Sequence, residues 1–188
     1  MQSILESPWI ASAVGAVVSL VLLVVVSATA AFDATAAIAM TIRALHVLAA
    51  MVWAGLIVFV NFVQLKALKA CAEAERPVIV SHIAGPVAQI FTGAAHATFL
   101  TGVIMLLPIG PAVHQRIVLM LAVLGGLAMW AIVQFFLRPN IARITGKVAA
   151  SDADKAAARR AITTWARINM VLVIPVTVAM LVAAHSGL

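Results

Sequence analysis

The stretch Arg43-Ala-Leu-His46-Val-Leu-Ala-Ala-Met-Val-Trp53-Ala-Gly55 places a histidine inside a long apolar segment. The rest of the chain is equally apolar: of its 188 residues 65% are hydrophobic and 10% are charged, and the mean hydropathy is +1.17. Soluble domains are typically about half apolar and about a quarter charged. The composition therefore predicts an integral membrane protein.

Five segments are long and apolar enough to cross a bilayer, since a helical span needs about 20 apolar residues. They cover approximately residues 9–32, 38–65, 78–107, 117–137 and 166–186. We therefore expect an all-α fold, a five-helix transmembrane bundle that forms a single domain over residues 1–188. The polar stretch 138–165 is predicted to be a loop, within which Ser151 and Asp154 are typical of a helix start.

The basic residues indicate the orientation of these spans. Ten of the twelve lie on one side of the predicted membrane, and only Arg43 and Arg116 lie toward the other. The ten are Lys66, Lys69, Arg76, Arg138, Arg143, Lys147, Lys155, Arg159, Arg160 and Arg167. Because cytoplasmic loops are enriched in Lys and Arg, we expect a multi-pass protein of the bacterial inner membrane with a cytoplasmic N-terminus and a periplasmic C-terminus. Loop 138–165 would then be cytoplasmic.

Charge and cysteine content exclude several classes of function. A net charge of +6 would suggest a nucleic-acid partner in a soluble protein, but in a membrane protein the distribution of charge matters more than its sum. We therefore expect membrane lipid and no nucleic acid as a partner. The single cysteine, Cys71, excludes an intrachain disulfide and a Cys-x-x-Cys-His haem attachment.

Two histidines are predicted to lie at one depth in the outer half of the membrane. At a helical rise of about 1.5 Å per residue, His46 lies about 12 Å and His96 about 16 Å below the outer surface, on consecutive antiparallel helices. Imidazoles at one level on neighbouring helices are typical ligands of a b-type haem. His185 lies near the outer end of the last span, and His114 lies in the outer loop.

Other residues near these histidines have both a functional and a structural interpretation. Arg43 is one turn above His46 and would pair with a haem propionate or extend to lipid headgroups. Trp53 would flank a macrocycle or simply pack. His82 lies near the inner end of its span without a second histidine at that level, so a second haem would need His82 alone or with Met170. A purely structural role for any of these histidines, through a hydrogen bond to a neighbouring helix, also stays open.

Several short motifs resemble the transmembrane part of cytochrome-linked urate oxidases and, more distantly, CopD-type copper-resistance membrane proteins. The best match runs from Leu45 to Gln64. Further matches are Phe99-Leu-Thr101-Gly102, Trp130 with Arg138-Pro139-Asn140, and Asn169 with Ile174-Pro175, Met180 and His185. The resemblance implies a membrane protein that binds haem or passes electrons to a c-type cytochrome, with His46 and His185 at the family's histidine positions. The family's C-terminal cytochrome c domain has no counterpart in this sequence.

The sequence thus favours a haem b-binding electron-transfer protein, with axial ligands His46 and His96 or another pair drawn from His46, His96 and His185. Its redox partner would be a periplasmic c-type cytochrome or a neighbouring membrane subunit of an oxidoreductase, in a homo- or hetero-oligomer. Two alternatives stay open. One is a copper-handling protein, in which His46, His96 and a methionine such as Met51 or Met105 bind the metal. The other is an accessory subunit without a cofactor.

Overall fold

The computed structural model describes residues 7–29, 34–107 and 117–185. Within these ranges the regular structure is entirely helical, so the predicted all-α fold is confirmed. A helix satisfies every backbone hydrogen bond within one segment, which a chain in hydrocarbon requires because no water is available there. The α-helices are α1 (Pro8–Thr29), α2 (Ala34–Phe59), α3 (Leu65–Ala70), α4 (Arg76–Ile79), α5 (Gly85–Leu106), α6 (Ile117–Ala131), α7 (Arg138–Ile144) and α8 (Asp152–His185).

Among the described residues, five continuous helical stretches are long and apolar enough to cross a membrane, which makes this a multi-pass membrane protein. They are Pro8–Val26, Ala34–Ala70, Glu73–Leu106, Ile117–Ile144 and Asp152–His185. The predicted spans fall at these positions, although residues 30–32 and 186, and the loop with His114, lie outside the described residues. The fourth stretch is longer than predicted: the helix does not end at Leu137 but continues as α7. Pro139 lies in the first turn of α7, directly after the π-helical segment Ile132–Leu137.

The polar stretch 138–165 is correspondingly more ordered than the predicted loop. Its residues form α7 and the first turns of α8, joined by a turn in which Gly146 has a φ of 75°. The expected helix start is confirmed. The Asp154 amide donates to the Ser151 hydroxyl at 3.1 Å, and the Ser151 amide donates to the Asp154 carboxylate at 3.2 Å. This reciprocal pair fixes the N-terminus of α8.

The chain divides into two compact units, Met1–Ala44 and Leu45–Leu188, with the boundary inside α2. In the first unit the described side chains of α1 are exposed along the whole helix. In the second unit α2, α5, α6 and α8 contribute to one apolar core. That core contains Trp53, Ile57, Phe91, Ala95, Met129, Ile132, Val133, Leu137 and Val173.

Helices α6 and α8 of the second unit pack closely because glycine lies at their contact. A Cβ built on Gly125 would collide with the Val176 side chain of α8, and one built on Gly126 would lie 3.9 Å from Met180 Cε. The absence of a side chain at Gly125 therefore permits the close approach of α6 and α8. This contact fixes α8 against α6 along the span that ends at His185.

In the described part of the chain, three π-helical segments interrupt the spans near their Lys- and Arg-rich ends. They are π1 (Val60–Gln64), π2 (Val80–Ala84) and π3 (Ile132–Leu137). Each segment ends with a hydrogen bond from an N–H to the carbonyl five residues earlier. Examples are Gly85 N–H to the Val80 carbonyl and Arg138 N–H to the Val133 carbonyl. Pro86 and Pro139 follow directly, and because proline lacks an N–H the regular i to i−4 pattern fails there. The backbone irregularity near Pro86 thus takes the form of a π-helical turn.

Candidate cofactor site

His46 lies on α2 with its imidazole half-buried against α5. Its Nδ1 lies 3.1 Å from the hydroxyl oxygen of Thr101. The same face of α5 carries Thr98, which is buried, and Gly102. The ring therefore contacts the last two turns of α5 rather than lipid alone.

The hydrogen bonds of Thr101 indicate which of the two atoms carries the proton in its contact with His46. The Thr101 hydroxyl donates to the Ala97 carbonyl at 2.6 Å, with the Thr98 carbonyl a second acceptor at 3.2 Å. A threonine hydroxyl has one proton, so toward His46 it acts as an acceptor. We therefore assign the ring proton to His46 Nδ1. In the neutral imidazole this leaves Nε2 with a free lone pair, which is the form that binds metals.

Gly102 makes room for the imidazole. An ideal Cβ at this position would lie 3.1 Å from His46 Cε1 and 3.5 Å from Nδ1, closer than side-chain carbons ordinarily pack. Any larger residue at position 102 would push the ring away from Thr101. The motif Thr101-Gly102 therefore supplies both the acceptor and the space for His46.

His96 occupies a different face of α5. At about 100° per residue it lies about 140° around the helix from Thr101 and about 120° from Gly102. The side chain is exposed, its Nδ1 donates to the Thr92 carbonyl at 2.7 Å, and its ring meets Trp130 edge to face at 6.2 Å between centroids. The structure consequently does not bring His46 and His96 together. Because His46 contacts α5 directly, no gap for a porphyrin separates these two helices at that level.

His185 lies in the last turn of α8 and, like His96, bonds the carbonyl four residues earlier on its own helix. Its Nδ1 donates to the Leu181 carbonyl at 2.9 Å, and the side chain is exposed. Asn61 Nδ2 donates to the Ala166 carbonyl at 3.1 Å, which sets the relative height of α2 and α8. At 1.5 Å per residue, His46 lies about 22 Å from Asn61 and His185 about 28 Å from Ala166 in the same direction. The two histidines are thus offset by about 6 Å along the bundle.

The two residues predicted to flank a haem occupy different settings. Trp53 is buried, with 5% of its surface exposed, and meets Phe91 edge to face at 6.4 Å. It belongs to the apolar core, which agrees with the packing interpretation. Arg43 is exposed and belongs to the first compact unit, Met1–Ala44.

The remaining candidate ligands are dispersed among the elements. His82 is exposed on π2, Met51 is exposed on α2, Met105 is half-buried on α5, and Met170 packs against the apolar core. In the described part of the chain, no three side chains drawn from His, Cys, Asp and Glu form a group that would hold a metal ion.

Buried amides form a second polar feature, at the Lys- and Arg-rich ends of the spans. Asn61 joins π1 to α8 through its bond to the Ala166 carbonyl. Gln134 instead accepts from Arg138 on its own helical stretch. Asn169 is only 1% exposed, and neither of its side-chain atoms has a partner among the described residues.

The sequence did not lead us to expect Thr101 as the partner of His46. The feature that indicated it was the adjacent pair Thr101-Gly102 in the span that follows the one with His46. No family model, curated protein or solved structure matches the chain. The candidate site is accordingly defined by the geometry of His46, Thr101 and Gly102.

Proposed function

We propose that this chain is a haem b-binding membrane protein that transfers electrons, and that His46 Nε2 is one axial ligand of the haem. The observation that supports this most directly is the Thr101 acceptor on His46 Nδ1. Histidines that bind metals usually donate their other N–H to an oxygen, which fixes the tautomer and the ring orientation. An ionisable side chain within a span is in itself a candidate for function.

We propose His185 rather than His96 as the second ligand. His96 lies on a different face of α5 from Thr101 and Gly102, which contact His46, whereas His185 lies on α8 with an axial offset of about 6 Å from His46. Both present an Nε2 that is left free by the hydrogen bond on Nδ1. A haem held in this way would supply one-electron chemistry, and the protein would set its potential through the axial ligands and the hydrogen bonds to them.

The proposed setting is the bacterial inner membrane. The concentration of basic residues at one end of the spans supports a cytoplasmic location for that end. His46 and His185 would then lie in the periplasmic half. A periplasmic c-type cytochrome or a neighbouring redox subunit would exchange electrons with the haem, and the chain would serve as the membrane component of an oxidoreductase.

Haem and metal content of the purified protein test this proposal. We expect about one b-type haem per chain by pyridine haemochrome assay, lost in both His46→Ala and His185→Ala. His96→Ala is the matched control, since it also removes an intramembrane imidazole, and it should retain haem. Stoichiometric copper without porphyrin would select the copper-handling alternative. Absence of both cofactors from a folded protein would select the accessory subunit.

A further inference from the structure

The Lys- and Arg-rich end of the second unit has many more cations than carboxylates. Ten basic residues at this end face four acids: Glu73, Glu75, Asp152 and Asp154. All four acids are engaged locally. Glu73 pairs with Arg76 and Asp152 with Lys155, whereas Glu75 and Asp154 accept from the backbone amides of Ala72 and Ser151.

Eight cations consequently have no carboxylate within ion-pair distance in the described structure. They are Lys66, Lys69, Arg138, Arg143, Lys147, Arg159, Arg160 and Arg167, and all eight are exposed. Arg138 and Arg143 donate to neutral amide oxygens, those of Gln134 at 3.3 Å and Asn140 at 3.0 Å. These neutral acceptors form no ion pair with the two guanidinium groups.

The first turns of α8 arrange two of these cations in a stripe. Arg160 and Arg167 are seven residues apart, so they share one face of the helix at a separation of about 10 Å. The exposed Thr164 hydroxyl lies between them on nearly the same face. Arg167 directly precedes the apolar run that starts at Ile168, which places this stripe where the helix enters the membrane.

We propose that the Arg160–Thr164–Arg167 stripe binds the phosphate group of an anionic phospholipid. Guanidinium groups donate paired hydrogen bonds that match phosphate oxygens, and a hydroxyl adds a further donor. Basic clusters next to a transmembrane helix recognise anionic headgroups. The height of the stripe, at the edge of the apolar run, fits a lipid headgroup better than a nucleic acid or a soluble acidic protein. The inference is independent of the haem proposal.

Thermal unfolding of the delipidated full-length protein in an uncharged detergent tests the inference. Phosphatidylglycerol should raise the Tm by several degrees, while phosphatidylcholine should have little effect. High salt should weaken the stabilisation, because exposed charges are screened. In Arg160→Gln/Arg167→Gln the phosphatidylglycerol shift should fall by at least half.

The double variant Lys147→Gln/Lys155→Gln is the control, since it removes the same charge farther from the apolar run. An equal loss in the control, an unchanged shift in the arginine variant, or equal shifts with both lipids would each overturn the proposal. An equal shift with RNA would also overturn it, as non-specific polyanion binding. If the arginine variant does not fold, native mass spectrometry of the wild type in mixed lipid decides: preferential retention of phosphatidylglycerol is expected, and equal retention of both lipids refutes the proposal.

Discussion

His46 Nδ1 and the hydroxyl oxygen of Thr101 are hydrogen-bonded across 3.1 Å, from α2 to α5. The direction of this bond follows from Thr101's own bond to the Ala97 carbonyl at 2.6 Å. The contact fixes both the tautomer and the orientation of the imidazole. It therefore determines which ring nitrogen is free for a ligand.

Replacing Thr101 by valine should weaken haem binding while leaving the fold intact. Valine has nearly the same shape but no acceptor, so the His46 ring loses its fixed orientation. Loss of such a supporting hydrogen bond typically costs about 10- to 100-fold in metal affinity, and haem titration of the apoprotein would measure it. Thr177→Val is the control, because the Thr177 hydroxyl bonds only the Val173 carbonyl of its own helix in the described structure. If both variants bind haem with equal affinity, the Thr101 hydroxyl does not support the His46 ligand.

Gly102→Ala should displace the His46 ring. The added Cβ would lie 3.1 Å from Cε1, so the imidazole must shift and the bond to Thr101 must lengthen. We expect lower haem occupancy without unfolding, measured by the ratio of Soret to protein absorbance. Gly93→Ala on the same helix meets no atom within 4 Å and should retain occupancy, with stability raised by about 0.5–1 kcal/mol. If Gly102→Ala binds haem like the wild type, the ring does not need the space at position 102.

The sequence predicted the all-α class and the five membrane-spanning stretches because each span is specified locally, by an uninterrupted apolar run. The depth of His46 and His96 in the membrane stays a prediction from their spacing along the helices. Which face of α5 meets α2 is determined by tertiary packing, so the divergence of these two histidines was not predictable. The π-helical segments were not predicted either. Pro86 and Pro139 indicated only that the backbone pattern must change nearby.

The buried amides Asn61 and Asn169 should respond in opposite ways to replacement by leucine. Asn61→Leu removes the bond to the Ala166 carbonyl and should lower the free energy of unfolding by about 1 kcal/mol. Asn169→Leu removes two buried atoms without partners in the described structure, and the stability should be unchanged or higher. Unfolding in denaturing detergent would measure both. If Asn169→Leu lowers the free energy of unfolding more than Asn61→Leu does, the Asn169 amide binds a group outside the described part of the chain.

Ser151→Ala should destabilise the start of α8 by about 1 kcal/mol, the typical cost of losing an N-cap side chain. The Ser151 hydroxyl accepts from the Asp154 amide at 3.1 Å and also donates to the Asp154 carboxylate at 2.6 Å. Faster amide hydrogen exchange confined to the first turns of α8 would reveal the change. Ser81→Ala is the control, since that hydroxyl bonds only the Val78 carbonyl in the described structure. Equal exchange in both variants would contradict the capping role.

The central claim, that His46 is an axial ligand of a b-type haem, is tested most directly by one optical measurement. Dithionite-reduced minus oxidised spectra would be recorded for the purified wild type and for His46→Ala, with His96→Ala as the control. The account predicts a b-type α-band in the wild type, its loss in His46→Ala and its retention in His96→Ala. No α-band in the folded wild-type protein, or an α-band that persists in His46→Ala, would contradict it.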